Sequence, residues 1–343
     1  MTANVEAFDA WIRGPFVEMN TALEELYFAQ ADRANVVGIG DPIKGQLEGE
    51  GRVFVRDLMI EGNTDEGFDR AFGLLGDLGL YMAALRRHEI TNPAREEKSP
   101  LREASALGLH IGASLGVAPR FATSHLSTHN FAVNGQPKSF TSLKDEYLFV
   151  DLNTRAIFAY KRAADALMRI TPLGVSHPAA GMLLEEAERA LIDVANFMNA
   201  LFEELDADRF FHSVRPYYKP YRVGRQEYRG ANAGDFSGIN EIDLLLGLCR
   251  ANDPYYAQLL VDKMLFMTPE DQARLRDCMR RRPLLDEFLT ARESHKKERW
   301  FCENARLFLN VCEAHGTAAS RHHNGLVLRF IEKPAETLDR RHL

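Results

Sequence analysis

Residues 183–205 read LLEEAERALIDVANFMNALFEEL. Leu184, Ala187, Leu191, Val194, Met198, Leu201 and Leu205 recur at steps of three and four with acidic residues opposite, the period of a helix that lays one face on a core. The same period runs through residues 67–88 and 299–331. Thr268-Pro269-Glu270-Asp271 reads as a capped start with proline at the first helical position, opening a further helix through Cys278. Alternating patterns are scarce, RVFVRD at 52–57 being one brief strand-like stretch. The sequence predicts an all-α fold.

Composition narrows the class of function. The 343 residues are 45% hydrophobic and 27% charged, ample for a large buried core. A net charge of -7 gives no basic footprint, so no nucleic-acid partner is expected. The start, MTANVEAFDAWIRGPF, has no basic region leading into an apolar one, and no run of about 18 apolar residues follows. No membrane partner is expected, and the expected location is cytoplasmic. Cys249, Cys278, Cys302 and Cys312 lack paired-ligand spacing and read as core thiols, with no zinc site. Homo-oligomer formation is left open.

Two loop-rich stretches interrupt the helical pattern. TNPAREEKSPL at 91–101 carries two prolines and is expected to separate a smaller N-terminal helical region, 1–100, from a larger domain, 101–343. VVGIGDPIKG at 36–45 begins like a dinucleotide fingerprint, but Ile43 stands at the third glycine position and no alternation of strands and helices follows. No internal repeat is present.

Residues 299–331 read RWFCENARLFLNVCEAHGTAASRHHNGLVLRFI. At about 100° per residue, Phe301, Ala305, Phe308, Cys312, Gly316, Ala319, His323, Leu326 and Phe330 form one stripe, with His322 about a quarter turn away. Gly316 and Ala319 leave room for a flat group beside His323. An imidazole on such a wall suits a proximal haem ligand, because a neutral ring nitrogen binds iron and the macrocycle wants an apolar slot. A hydrogen-bonded core histidine is the competing reading. Cys312 is a second candidate ligand, although a buried thiol without a cationic neighbour is inert.

The second interruption, FFHSVRPYYKPYRVGRQEYRGANAGDFSG at 210–238, is rich in arginine, proline and glycine. Arg215 precedes Pro216, which biases it out of the α region and marks a helix end, so its guanidinium is expected at a rim. Beside aromatic rings such a group suits bidentate capture of a carboxylate; an ion pair with a structural acid is the alternative. The run Gly230 to Asp235 lacks the lysine of a phosphate loop. It reads either as a close-approach turn beside a ligand or as an ordinary surface turn.

At these residues the sequence resembles the haem-dependent aromatic oxygenases, a superfamily that includes indoleamine dioxygenase, tryptophan dioxygenase and monodechloroaminopyrrolnitrin synthase. DLGLYMAALRRHE at 77–89, FTSLKDEYLFVDL at 140–152 and FFHSVRPYYKPYRVGRQEYRG at 210–230 are similar to the last family. LGVAPRFATSHLSTHNF at 115–131, GANAGDFSGINEIDLLLG at 230–247 and SRHHNGLVLRFI at 320–331 are similar to indoleamine dioxygenase. The resemblance implies a helical fold around one haem b, O₂ as co-substrate and His323 as the proximal ligand. It implies that Phe210 and Phe211 pack on the substrate ring and that Arg215 grips an amino-acid carboxylate. Ala231, Asn232, Ala233 and Gly234 would line the pocket, and Thr123, Leu126 and Ser127 its distal wall. His125 and His129 lie in the distal stretch with their direction undetermined. The expected activity is oxygenation of tryptophan or a substituted indole, a small aromatic substrate; a haem-binding sensor or carrier without turnover is the alternative.

Overall fold

The structure, a computed structural model, describes residues 2–62, 67–231 and 235–336. Helix accounts for 72% of the chain, so the class is all-α as predicted. Along the chain run α1 (Ala3–Arg13), α2 (Pro15–Phe28), α3 (Asp41–Glu61), α4 (Phe68–Arg87), α5 (Arg102–Leu115), α6 (Thr123–Leu126), α7 (Lys144–Leu173), α8 (Pro178–Glu204) and α9 (Ala207–Arg209). Then come the hairpin strands β1 (Tyr221–Val223) and β2 (Gln226–Tyr228), followed by α10 (Gly238–Leu246), α11 (Pro254–Met264), α12 (Pro269–Cys278), α13 (Leu284–His295) and α14 (Arg299–Ser320). RVFVRD is not a strand: it lies inside α3, where Val55 is buried and Val53 is exposed as a helix orders them. Contacts divide the chain elsewhere than at residue 100, into residues 1–150 with 205–232 and residues 151–204 with 233–343.

The first unit is organised on α4. Its side chains are buried on every side from Phe72 nearly to its end, the mark of a central rather than a surface helix. Two glycines let neighbouring chain pass close to it. A Cβ at Gly79 would stand 2.6 Å from the backbone nitrogen of Phe121, and one at Gly76 would stand 2.9 Å from the His125 ring. The usual helical cost of glycine is therefore offset by close packing of residues 121–125. Near the C-terminal end of α4, Arg87 makes a buried two-point ion pair with Glu24 of α2, at 2.7 and 2.8 Å. Its other bond, 2.8 Å to the carbonyl of His212, straps α4 to the π-helix Phe210–Val214.

The second unit is built on α8 and α14. Leu184, Ala187, Leu191 and Val194 of α8 are buried as the opening pattern requires. Facing them, α14 buries Asn304, Leu307, Val311, His315 and Ala318. Asn304 donates at 2.8 Å to the carbonyl of Val175, and Gly181 keeps α8 close enough that a Cβ there would lie 2.9 Å from Asn304 Oδ1. Thr268 caps α12 as predicted, accepting from Asp271 N at 3.3 Å.

Candidate functional site

The candidate residues of the first unit gather around an aromatic row. Phe121 meets Phe140 edge-on at 5.5 Å, Phe140 meets Tyr218 at 5.5 Å, Tyr218 meets Phe149 at 5.4 Å and Phe149 meets Phe210 at 5.1 Å. The row joins the segment before α6 to the π-helix that carries Phe210 and Phe211, both buried. Phe140, Phe149 and Tyr218 are not among the expected residues; the first two lie in the 140–152 stretch and Tyr218 in the 210–230 stretch. Thr123, Leu126 and Ser127 are buried on α6 and at its end, where Ser127 Oγ donates 2.7 Å to the carbonyl of Thr123.

The structure settles His125. Its Nδ1 accepts from Ala122 N–H at 2.9 Å and its Nε2 lies 2.9 Å from the carbonyl of Phe72, so both ring nitrogens are used by backbone. The ring stacks on Phe72 at 3.8 Å, and burial holds it neutral, well below the usual histidine range. His125 is a packing residue. His129 stands edge-on to Phe72 at 5.0 Å, with Nδ1 3.0 Å from Thr128 Oγ1.

Arg215 departs from its expected backbone. The preceding-proline bias predicts an extended residue, yet Arg215 is α-helical at φ -52° and ψ -36° and opens the 3₁₀ turn Arg215–Tyr218. The strap from Arg87 and the burial of Pro216 and Tyr217 outweigh the local preference; the extended residue is Lys219, before Pro220. The half-buried guanidinium of Arg215 lies 5.2 Å over the ring of Phe211. It has no carboxylate or hydrogen-bond partner among the described residues, and burial alone acts on it, disfavouring its charge. The structural ion pair weighed as an alternative is thus not found among the described residues. Ala231 is buried, and a side chain on Gly230 would collide with the carbonyl of Tyr218, so this turn does require close backbone approach. Asn232, Ala233 and Gly234 lie outside the described residues.

In the second unit α14 continues without a break into the π-helix Arg321–Glu332, which carries His322 and His323. The apolar-stripe reading needs correction here. Phe301, Phe308 and Phe330 are buried, but Gly316, Ala319 and His323 are exposed. The buried face of α14 is rotated roughly a quarter turn, because it includes two polar residues, Asn304 and His315, that a count of apolar positions skips. From Arg321 the wider π turn alters the phase again. His315 is the histidine that is buried: its Nε2 sits 2.8 Å from Asp243 Oδ1, and Tyr256 hydroxyl donates 2.9 Å to Oδ2 of the same carboxylate.

The face around His323 is open, with room for a flat group, but it is not the apolar slot that the stripe pattern implied. A Cβ at Gly316 would meet nothing within 4 Å, Ala319 is small and exposed, and His323 makes no hydrogen bond to a described residue. His322, edge-on to it at 5.3 Å, is more covered and is held below the usual histidine range by burial and then by His323. Burial pushes the Cys312 thiol up to about 11, which argues against a thiolate ligand. Among the described residues no three metal-ligating side chains cluster, and no helix is long and apolar enough to cross a membrane.

The family model of monodechloroaminopyrrolnitrin synthase PrnB matches residues 2–343. That family consists of haem-dependent oxygenases that use O₂, carry haem b and act on indole- or tryptophan-like substrates. Over essentially its whole length, from α1 to its C-terminal residue, the chain belongs to the monodechloroaminopyrrolnitrin synthase PrnB family.

Proposed function

We propose that the chain oxygenates tryptophan or a ring-substituted tryptophan, with His323 as the proximal ligand of haem b and Arg215 as the grip on the substrate carboxylate. The observation that carries this reading is the Arg215 guanidinium, half-buried over Phe211 with no counter-charge among the described residues. A buried charge without a partner is costly, and a carboxylate ligand removes that cost. Phe210 and Phe211 offer apolar surface for an indole. Thr123, Leu126, Ser127 and Ala231 add buried lining, and the reading extends it through Asn232, Ala233 and Gly234. Haem, when bound, supplies the O₂ chemistry. The residues of the chain orient the substrate and exclude water, and orientation can contribute several kcal/mol, about 7–11 at best.

The test has two arms. Haem-loaded protein should show a Soret band that His323→Ala loses and His322→Ala keeps; a band surviving in His323→Ala removes the ligand assignment. Aerobic incubation of the reduced protein with tryptophan analogues should yield oxygen-labelled products by mass spectrometry under ¹⁸O₂. Unlabelled, unchanged analogues would leave the sensor or carrier reading in its place.

A further inference from the structure

The aromatic row holds one polar atom that the fold leaves unused. Tyr218 ends the 3₁₀ turn that Arg215 begins, and residues three apart on such a turn project along one edge. Its ring is fixed on two sides, edge-on to Phe140 at 5.5 Å and tilted against Phe149 at 5.4 Å, and Phe149 in turn meets Phe210 at 5.1 Å. Its carbonyl lies so near Gly230 that a side chain there would collide with it, which sets Tyr218 against the turn leading to the buried Ala231. The Tyr218 hydroxyl is enclosed, yet it has no hydrogen-bond partner among the described residues. Glu146, the carboxylate whose charge reaches it, accepts instead from Phe140 N at 2.6 Å, Thr141 N at 2.7 Å and Thr141 Oγ1 at 2.6 Å. A buried hydroxyl without a partner is a cost to the empty protein, and a ligand that supplies the partner removes it. An indole carries one polar ring atom, an N–H donor, and Phe210 and Phe211 offer it no acceptor. Both ring nitrogens of His125 are committed to backbone. A clamped phenol oxygen beside the same rings is the complement of that donor.

We infer that the Tyr218 hydroxyl accepts the ring N–H of the substrate, so that Tyr218 is a specificity residue selecting rings that carry N–H over rings that lack it. This rests on the reading above, in which Phe210 and Phe211 pack on the indole and Arg215 holds the carboxylate.

The test is calorimetric binding to the haem-loaded protein, under argon, of three probes: L-tryptophan, 1-methyl-L-tryptophan and benzothienyl-L-alanine, in which sulfur replaces the ring N–H. Tyr218→Phe should weaken tryptophan roughly tenfold and leave the other two within about twofold, because only tryptophan has the bond to lose. The substrate-free variant should melt at the same temperature as the wild type or higher, since it sheds a hydroxyl that the empty fold does not satisfy. A lower melting temperature would mean that the hydroxyl is already bonded within the fold, and it overturns the inference. Equal weakening of all three probes, or no weakening of tryptophan, overturns it as well. Arg215→Met is the control, because all three probes share the carboxylate. If it weakens them while Tyr218→Phe changes nothing, only the role of Tyr218 is lost; if it leaves all three unaffected, the Arg215 reading itself is removed.

Discussion

Replacing Arg87 by Met isolates the ion pair that anchors the π-helix Phe210–Val214 to α4. Glu24 is wholly buried and Arg87 nearly so, and their two hydrogen bonds are 2.7 and 2.8 Å. Arg87 also lies 5.0 Å over the Tyr27 ring and straps the carbonyl of His212. Arg87→Met leaves the Glu24 carboxylate buried without its cation, which costs about 3–5 kcal/mol. For a unit of this size that corresponds to a melting shift of about 10 °C. The Glu24→Leu/Arg87→Met double variant removes the stranded charge as well and should recover more than half of the loss, the remainder being the His212 strap and the Tyr27 contact. Trp11, buried in the first unit with its indole N–H donating 2.7 Å to Glu50, reports that unit's urea unfolding in a Trp300→Phe background. A single variant no less stable than the double, or a loss below about 1 kcal/mol, would refute the view that a buried, matched pair fixes this segment.

The remaining predictions concern packing and pH. Gly79→Ala forces a methyl to 2.6–2.9 Å from Phe121 backbone atoms, so it should cost about 2 kcal/mol or more in stability; a neutral result in thermal unfolding would show that residues 121–127 shift freely. Glu146 is fully buried, accepts from Phe140 N, Thr141 N and Thr141 Oγ1, and is pushed up to about 7 by burial. Its unfolded value is about 4.3, so between the two the folded chain keeps a proton that the unfolded chain releases. Its contribution is full below about 4.3 and is lost as pH rises through 7. Relative to Glu146→Gln, the wild type should therefore lose up to about 3 kcal/mol in urea unfolding between pH 4.5 and 8. The neutral buried His88 and His125 act in the opposite direction in both proteins and cancel in that difference. A flat or rising difference would sink the assignment.

Much of the fold was legible because helical periodicity is a local property. The stretches around 67–88, 183–205 and 269–278 all became helices, displaced by a few residues at most, since one apolar face or a capped start suffices to specify each. RVFVRD was misread because six alternating residues weigh little against the helix on either side of them. Among the candidate residues, Arg215 beside Phe210 and Phe211 was legible as a cation next to rings, though its helical backbone was not, because a tertiary strap overrode the proline bias. His315 escaped notice because a hydrogen-bonded polar residue can sit in a core face without disturbing it.

By itself the sequence determined the all-α class and the family resemblance that the whole-chain match established, and it offered the candidate residues for haem and substrate. Only the tertiary structure decided that His125 and His315 are spent on packing and hydrogen bonds, while His323 is exposed with neither nitrogen bonded to a described residue. It alone separated Arg87, matched by Glu24, from Arg215, matched by nothing among the described residues. The reason is physical: spacing along a chain fixes which face a side chain shares, whereas whether its charge or nitrogen is satisfied depends on partners remote in sequence, brought within about 3 Å only by folding.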